Sequence, residues 1–309
     1  MSPTVILALL AALLMACTSE PQVTAPADAA SGVRIGSFDF AESELLAELY
    51  AQVLESNELP VVRLGVIGPR EIVAPAIEGG FLDVVPEYGG TAARHYATGL
   101  DGGAALTTGE MFERRGLTLL DAAPAENVNV FVMTLESASV YGLERISDLS
   151  TLAGTLRLGG PVECTTRPLC LPGLADVYGL QFAEFVPMRS LSLTAEALRR
   201  HEIDVGVMFS TAAELSAELL VILTDDRRLQ PEEHLAPLVR LDAIDRWGPD
   251  LVDGLNELSG DLTTDEVRRL NRAIADGTPP ATVAKEWLAS RTEHGQQNSE
   301  RDADDHRRD

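Results

Sequence analysis

Lysine is nearly absent from this 309-residue chain: Lys285 is the single one, and arginine supplies almost all the positive charge. Lys and Arg together number 24 against 48 Asp and Glu, which gives a formal net charge of −24 and a pI near 4.5. That balance argues against nucleic acid and an anionic membrane surface as partners of the folded part, because both would repel it. Motifs of reaction chemistry are missing too. The sequence has no Gly-x-Ser-x-Gly elbow, no Gly-rich phosphate loop ending in Lys and no His-Glu-x-x-His. The five histidines, His95, His201, His234, His294 and His306, are scattered. Adjacent acids such as Asp225-Asp226 and Glu232-Glu233 read as solvated surface rather than as a general acid and base. No enzyme, cofactor or metal is predicted. Of the three cysteines, Cys164 and Cys170 have neither a second cysteine pair nor a neighbouring histidine at zinc spacing.

Long apolar runs are also lacking. The longest, Val5 to Met15, is short for a bilayer span, and it ends Leu14-Met15-Ala16-Cys17. A small residue followed by Cys is what lipoprotein processing needs, so residues 1–16 read as a lipoprotein leader and Cys17 as the lipidated residue. An ordinary secretory leader with an incidental Cys is the alternative; no Lys or Arg precedes the apolar run. Either way the mature chain is exported, and the lipoprotein reading anchors it to the extracytoplasmic face of the cell membrane. Residues 17–32, rich in Ser, Thr, Pro and Ala, form a flexible tether. Residues 293–309 are polar, charged and aperiodic, and read as a disordered tail. With Cys17 carrying lipid, Cys164 and Cys170 remain as a pair in an oxidising compartment and are expected to form a disulfide. Its short loop stabilises by only about 2 to 2.5 kcal/mol on loop-closure entropy.

What is present is a repeated strand-and-helix grammar. Val33 to Gly36 reads as a short strand. Glu42 to Leu54 places Leu45, Leu46, Leu49, Tyr50 and Val53 at helical spacing. Val61 to Val66 is a second strand, Arg70 to Ile77 a helix, and Leu82 to Val85 a third strand running into Pro86. The βαβαβ order implies an open parallel sheet with ligand sites at the carboxyl ends of strands, where Ser37 and Tyr88 fall. A second set restarts after Asn127. Its strands are expected at Val128 to Thr134, Leu156 to Leu158, Phe182 to Val186 and Val205 to Phe209. The fold class is therefore α/β and two-lobed: residues 33–128 and 236–292 form lobe I, and 129–235 form an inserted lobe II. Two hinge crossovers, near Asn129 and after Asp225, permit closure around a ligand.

Three pieces stand at strand-to-helix junctions: Gly-Ser-x-x-Phe-x-Glu-Ser at 36–43, Gly-Pro-Arg-Glu at 68–71, and Pro-Glu-Tyr-Gly-Gly-Thr at 86–91. Asn129-Val130-Phe131, Ser147-Asp148-Leu149, the Cys164 to Cys170 loop with Arg167, and Leu223-Thr224-Asp225-Asp226 follow in order. Across Val33 to Ala289 the chain resembles the substrate-binding proteins of ABC importers for glycine betaine, choline and related quaternary amines, in particular their lipoprotein members. The resemblance implies a periplasmic-binding-protein-like (type II) fold, a quaternary-amine osmolyte as ligand and a separate ABC permease as partner. A sensing or scaffold lipoprotein on the same fold is the alternative. A quaternary ammonium cannot donate a hydrogen bond and is held over aromatic faces, while Arg and hydroxyl groups grip a carboxylate. By motif, Tyr88 is the leading aromatic, with Thr91 as a hydroxyl donor. Phe131 and Phe209 are cage aromatics or plain core, and Arg167 is a carboxylate clamp or an exposed loop arginine. Ser37, Phe38 and Asn129 complete the expected set. Phe38 stands where the family commonly has Lys, and Glu233, if it faces the cleft, favours a cation without a carboxylate.

Overall fold

The structure, a computed structural model, describes residues 31–98, 106–216 and 219–291. Cys17, the leader, most of the tether and the tail 293–309 lie outside the described residues. Among the described residues no helix is long and apolar enough to cross a membrane.

The chain builds two five-stranded sheets. In the first lobe, β1 (Val33–Ser37) leads to α1 (Ala41–Ser56), β2 (Val61–Val66), α2 (Arg70–Glu78), β3 (Val84–Tyr88), α3 (Gly89–Ala97), α4 (Thr108–Glu113) and β4 (Leu117–Leu119). The chain then crosses over. The second lobe holds β5 (Asn129–Thr134), α5 (Leu135–Tyr141), β6 (Arg157–Gly160), α6 (Leu171–Tyr178), β7 (Glu184–Pro187), α7 (Leu191–Arg199), β8 (Val205–Phe209) and β9 (Leu220–Leu223). After the return come β10 (Leu235–Arg240), α8 (Leu241–Trp247), α9 (Pro249–Asp261), α10 (Thr264–Ala275) and a helix over 280–291. Strand order is β2-β1-β3-β10-β4 in one sheet and β7-β6-β8-β5-β9 in the other.

Neither sheet is wholly parallel, which corrects the all-parallel expectation. β1 pairs in parallel with β2 and β3, but β10 runs antiparallel to β3 and β4. β5 likewise runs antiparallel to β8 and β9. The reason lies in the crossovers: β5 and β10 each enter their sheet from the opposite lobe, so they start at the end where the parallel strands finish.

The helical face of α1 forms as the apolar spacing requires. Leu45, Leu46 and Leu49 are fully buried, Tyr50 is 1% exposed, and they pack with Leu255 and Leu258 of α9. No side chain caps this helix at its start. Its N-cap is Phe40, without a side-chain bond, and Ser43 instead turns its hydroxyl back to accept the Phe38 N–H at 3.0 Å. At the start of α10, Thr263 caps by accepting the Glu266 N–H at 3.2 Å. The Cys164–Cys170 disulfide is formed, with Cα atoms 5.1 Å apart, and both cysteines are buried in the second core.

The two lobes fasten their sheets by the same device. In the first, Asp83 accepts from the Arg34 backbone N–H at 2.9 Å and from its guanidinium, and returns its own N–H to the Arg34 carbonyl at 2.8 Å. In the second, Asp204 accepts from Arg157 N–H at 2.8 Å and returns its N–H to the Arg157 carbonyl at 3.0 Å. The burial differs: the side chains of Arg34 and Asp83 are 7% and 0% exposed, those of Arg157 and Asp204 37% and 27%. Removing Arg34 leaves the buried Asp83 only the longer contact to Arg246 at 3.8 Å, whereas a half-exposed pair rehydrates. Arg34→Ala is therefore expected to cost about 3 to 5 kcal/mol and Arg157→Ala about 0 to 1 kcal/mol in urea unfolding. Equal losses would show that burial does not set the difference.

Candidate functional site

Two extended segments join the lobes. They pair through Asn127 N–H to the Glu233 carbonyl at 2.9 Å and Leu235 N–H to the Ala125 carbonyl at 3.1 Å, with a bridge between Glu126 and His234. A cavity of about 760 Å³ opens beside this hinge and is lined from both lobes. A volume of that order suits a small ligand.

The first lobe contributes the loop after β1 and the starts of α1, α2 and α3. Phe38 and Phe40 stack with ring centroids 5.8 Å apart and planes 5° from parallel, and Phe40 lies 6.0 Å from the Tyr88 ring. The Arg70 guanidinium stands 5.1 Å above the Phe38 ring. Phe209, at the end of β8, faces them from the second lobe and is 42% exposed. The lining includes five acidic residues, Asp39, Glu42, Glu71, Glu214 and Glu233, and one basic residue, Arg70. Arg70 is not free for a ligand carboxylate: it makes a two-bond pair, at 3.1 and 2.6 Å, with the fully buried Glu87. An acidic, aromatic-walled cleft favours a cation.

Glu42 organises this wall. One carboxylate oxygen accepts from the Tyr88 hydroxyl at 2.6 Å and from Asn127 Nδ2 at 2.8 Å; the other accepts from Asn271 Nδ2 at 2.6 Å. Burial, and next the Glu42 charge, push the Tyr88 phenol well above its ordinary pKa, so it stays a donor. Asn271 also donates to the Thr211 carbonyl at 2.9 Å, and Arg268 donates to the Ser210 carbonyl at 3.0 and 2.8 Å. Helix α10 thus holds the first lobe to the second beside the hinge.

Glu233 corrects the surface reading. It is 8% exposed and accepts the Thr91 N–H at 2.7 Å, placing a carboxylate at the positive end of α3. The glycine at 90 makes this possible: a Cβ there would lie 2.7 Å from Glu233 Oε2 and 3.0 Å from the Glu232 carbonyl.

Of the residues expected from sequence, the structure brings Tyr88, Thr91, Phe38 and Phe209 to the cleft lining. The other four lie elsewhere. Phe131 is 1% exposed in the second core, because it sits mid-strand opposite Val207 and Leu223 on the inward face of β5. Ser37 is buried at the end of β1 and lines a separate small pocket with Gly65. Asn129 points its amide to Gln230 Oε1 at 3.4 Å. Arg167 is exposed on the disulfide loop and is not part of the lining. Phe40 and Glu42 were missed although they stand inside the first motif. Asn127 and Asn271 carried no signal, being lone amides in a hinge and on an amphipathic helix. No group of three or more His, Cys, Asp or Glu residues among the described residues could hold a metal ion.

Two α/β lobes, a paired hinge and a ligand-sized cleft between them define a solute-capturing protein. Residues 31–290 match the family described as the substrate binding domain of the ABC-type glycine betaine transport system, and the chain belongs to that family. It is 28% identical over 285 residues to the glycine betaine-binding protein YehZ of Escherichia coli, covering 86% of this chain and 92% of that protein. It is 26% identical over 273 residues to the carnitine transport binding protein OpuCC of Listeria monocytogenes, covering 83% and 85%. A crystal structure of a glycine betaine/carnitine/choline ABC transporter shares the fold with a TM-score of 0.76 at 26% identity, over 84% of this chain and 98% of that one. The family's work is transport, not catalysis.

The two phenylalanines of the second lobe separate fold from site. Phe131→Ala is expected to cost about 3 to 5 kcal/mol of stability by opening a core cavity, with cation affinity kept in the folded fraction. Phe209→Ala is expected to leave the melting temperature nearly unchanged and to weaken a bound quaternary cation by about 0.5 to 2 kcal/mol. Thermal unfolding with and without ligand distinguishes them; the reverse pattern would put Phe131 in the site.

Proposed function

We propose that this protein captures a quaternary-amine solute between its lobes and delivers it to an ABC permease, serving osmoprotection from a lipid anchor at Cys17 on the extracytoplasmic face of the membrane. The observation that carries the reading is the cleft: four aromatic rings and five carboxylates around a space whose single lining arginine is already paired with Glu87. Aromatic faces hold a trimethylammonium group at about 0.5 to 2 kcal/mol each, and the acids add favourable charge. A carboxylate-bearing zwitterion finds less. Its anionic end has no unpaired guanidinium in the described lining, so hydroxyl donors such as Thr91 would have to serve. A carboxylate-free cation of the choline class is therefore favoured over glycine betaine, and the chain works as a binding protein rather than an enzyme.

Calorimetry on the mature body with choline, glycine betaine, carnitine, proline betaine and ectoine tests this. Choline is expected to bind at least about tenfold more tightly than glycine betaine, the loss typical of an unmatched charged group. No heat from any of the five at millimolar concentration would overturn the reading.

A further inference from the structure

Glu42 combines three features that no other residue of the cleft shares. It lines the cavity, it is only 7% exposed, and its carboxylate accepts from donors on three separate parts of the molecule: the Tyr88 wall, the hinge residue Asn127 and the helix residue Asn271. A carboxylate so buried would ordinarily be a liability, and apolar packing would serve the fold better. A glutamine there could accept on one side only, setting its amide N–H against Asn271 or against Tyr88 and Asn127. Retaining a charge there makes physical sense if something positive comes to lie in front of it.

We propose that Glu42 is the residue that selects for net positive charge in this site, its carboxylate acting as the fixed counter-charge to a bound trimethylammonium group. The proposal rests on the quaternary-amine reading above and assigns its charge selectivity to one side chain. The aromatic rings alone attract the ammonium of choline and of glycine betaine alike, because both present the same trimethyl head. A fixed negative charge beside the head does not treat them alike: it attracts the cation and repels the carboxylate of the zwitterion. Asp39 and Glu71 also lie in the lining but are exposed and lose their reach to solvent screening, and the half-buried Glu214 already accepts the Ser192 hydroxyl at 2.6 Å. Glu233 is buried, but its charge is used on the α3 N-terminus and on Arg94, which lies 3.4 Å away. Glu42 likewise stands at a helix start, but its side-chain donors are all neutral, so among the described residues no cationic side chain pairs with it.

The test uses three probes of similar shape: choline, its uncharged carbon isostere 3,3-dimethylbutan-1-ol, and glycine betaine, each titrated into wild type, Glu42→Gln and Glu42→Asp. In Glu42→Gln, choline affinity is expected to fall about tenfold or more, as for loss of a charge a few ångströms away in a partly buried site. Isostere affinity should change by less than about twofold and betaine affinity by less than that of choline. Glu42→Asp, which keeps the charge on a shorter stem, should weaken both choline and isostere while keeping the ratio between them. Parallel losses of choline and isostere in Glu42→Gln would mean that Glu42 only positions Tyr88, and would overturn the proposal. So would equal affinity of the wild type for choline and its isostere, a result that needs no variant and stands even if Glu42→Gln fails to fold. If wild type binds none of the three, the quaternary-amine reading itself falls; if choline binds and only the ratio is unmoved, that reading stands and the role of Glu42 does not.

Discussion

Burying a carboxylate costs several kcal/mol unless its oxygens find donors, and this cost constrains the whole cleft. Glu42 sits at the start of α1, where a carboxylate suits the helix dipole. Its donors come from far away in sequence: Tyr88 at the end of β3, Asn127 in the first crossover, and Asn271 on a helix 229 positions later. Satisfying one side chain therefore fixes the ring that walls the cleft, the hinge strand beside it and the helix that touches the second lobe. Tyr88 is pinned at both ends, since its ring packs in the first core while its hydroxyl is spent on Glu42. Such a ring presents its face to a ligand with little conformational entropy left to lose.

Charge in the cleft follows from a second pairing. Phe38 replaces the cation that resemblance to the family led one to expect, yet a cation is close by, with Arg70 lying over the Phe38 ring. Its charge is answered from beneath by Glu87, which has no exposure to water at all. The guanidinium thus works as scaffold: it closes a buried ion pair and stacks on the first aromatic of the wall. The acids around the cavity are left without a cationic partner of equal standing. A chain with twice as many acids as bases could have produced such a cleft by composition alone, but Glu42 is not a surface acid, and composition does not bury carboxylates.

Much of the architecture could be read from periodicity. The α1 face of Leu45, Leu46, Leu49 and Tyr50 follows from its apolar spacing, and most strands of both sheets are apolar runs bounded by Gly, Pro or Asp. What periodicity could not give is direction. β5 and β10 look like any other apolar run, and only their role as crossover strands makes them antiparallel. β4, three residues long, is too short to show a period. The site was legible where local sequence decides geometry, as at Tyr88 between strand and helix. It was not legible where depth along a strand decides it: Phe131 and Phe209 are both aromatics near the cleft, but Asn129 pairs with Phe209 at the strand end while Phe131 lies two residues further in, among core side chains. Asn271 lay beyond reach for another reason, since a long-range amide bond leaves no pattern in the chain.

The contacts of α10 bear on how such a molecule can close. Ser210 accepts the Val128 N–H through its hydroxyl, donates that hydroxyl to the Glu126 carbonyl, and offers its own carbonyl to Arg268. It therefore belongs to the hinge although it follows β8 in sequence. A rotation of one lobe against the other moves each atom in proportion to its distance from the axis, so contacts that survive must lie near that axis. The bonds at Ser210 and Thr211 meet that condition, being tied directly or through one residue to the crossover strand. Phe209 is tied by strand pairing to Asn129 beside the crossover, and the second lobe presents its ring, with Leu191, to the wall formed by Phe40 and Tyr88. Closure pivoting near Ser210 would leave the bonds of α10 intact, and Phe209, one residue from that pivot, would keep its backbone nearly in place while its ring stays turned to the cleft.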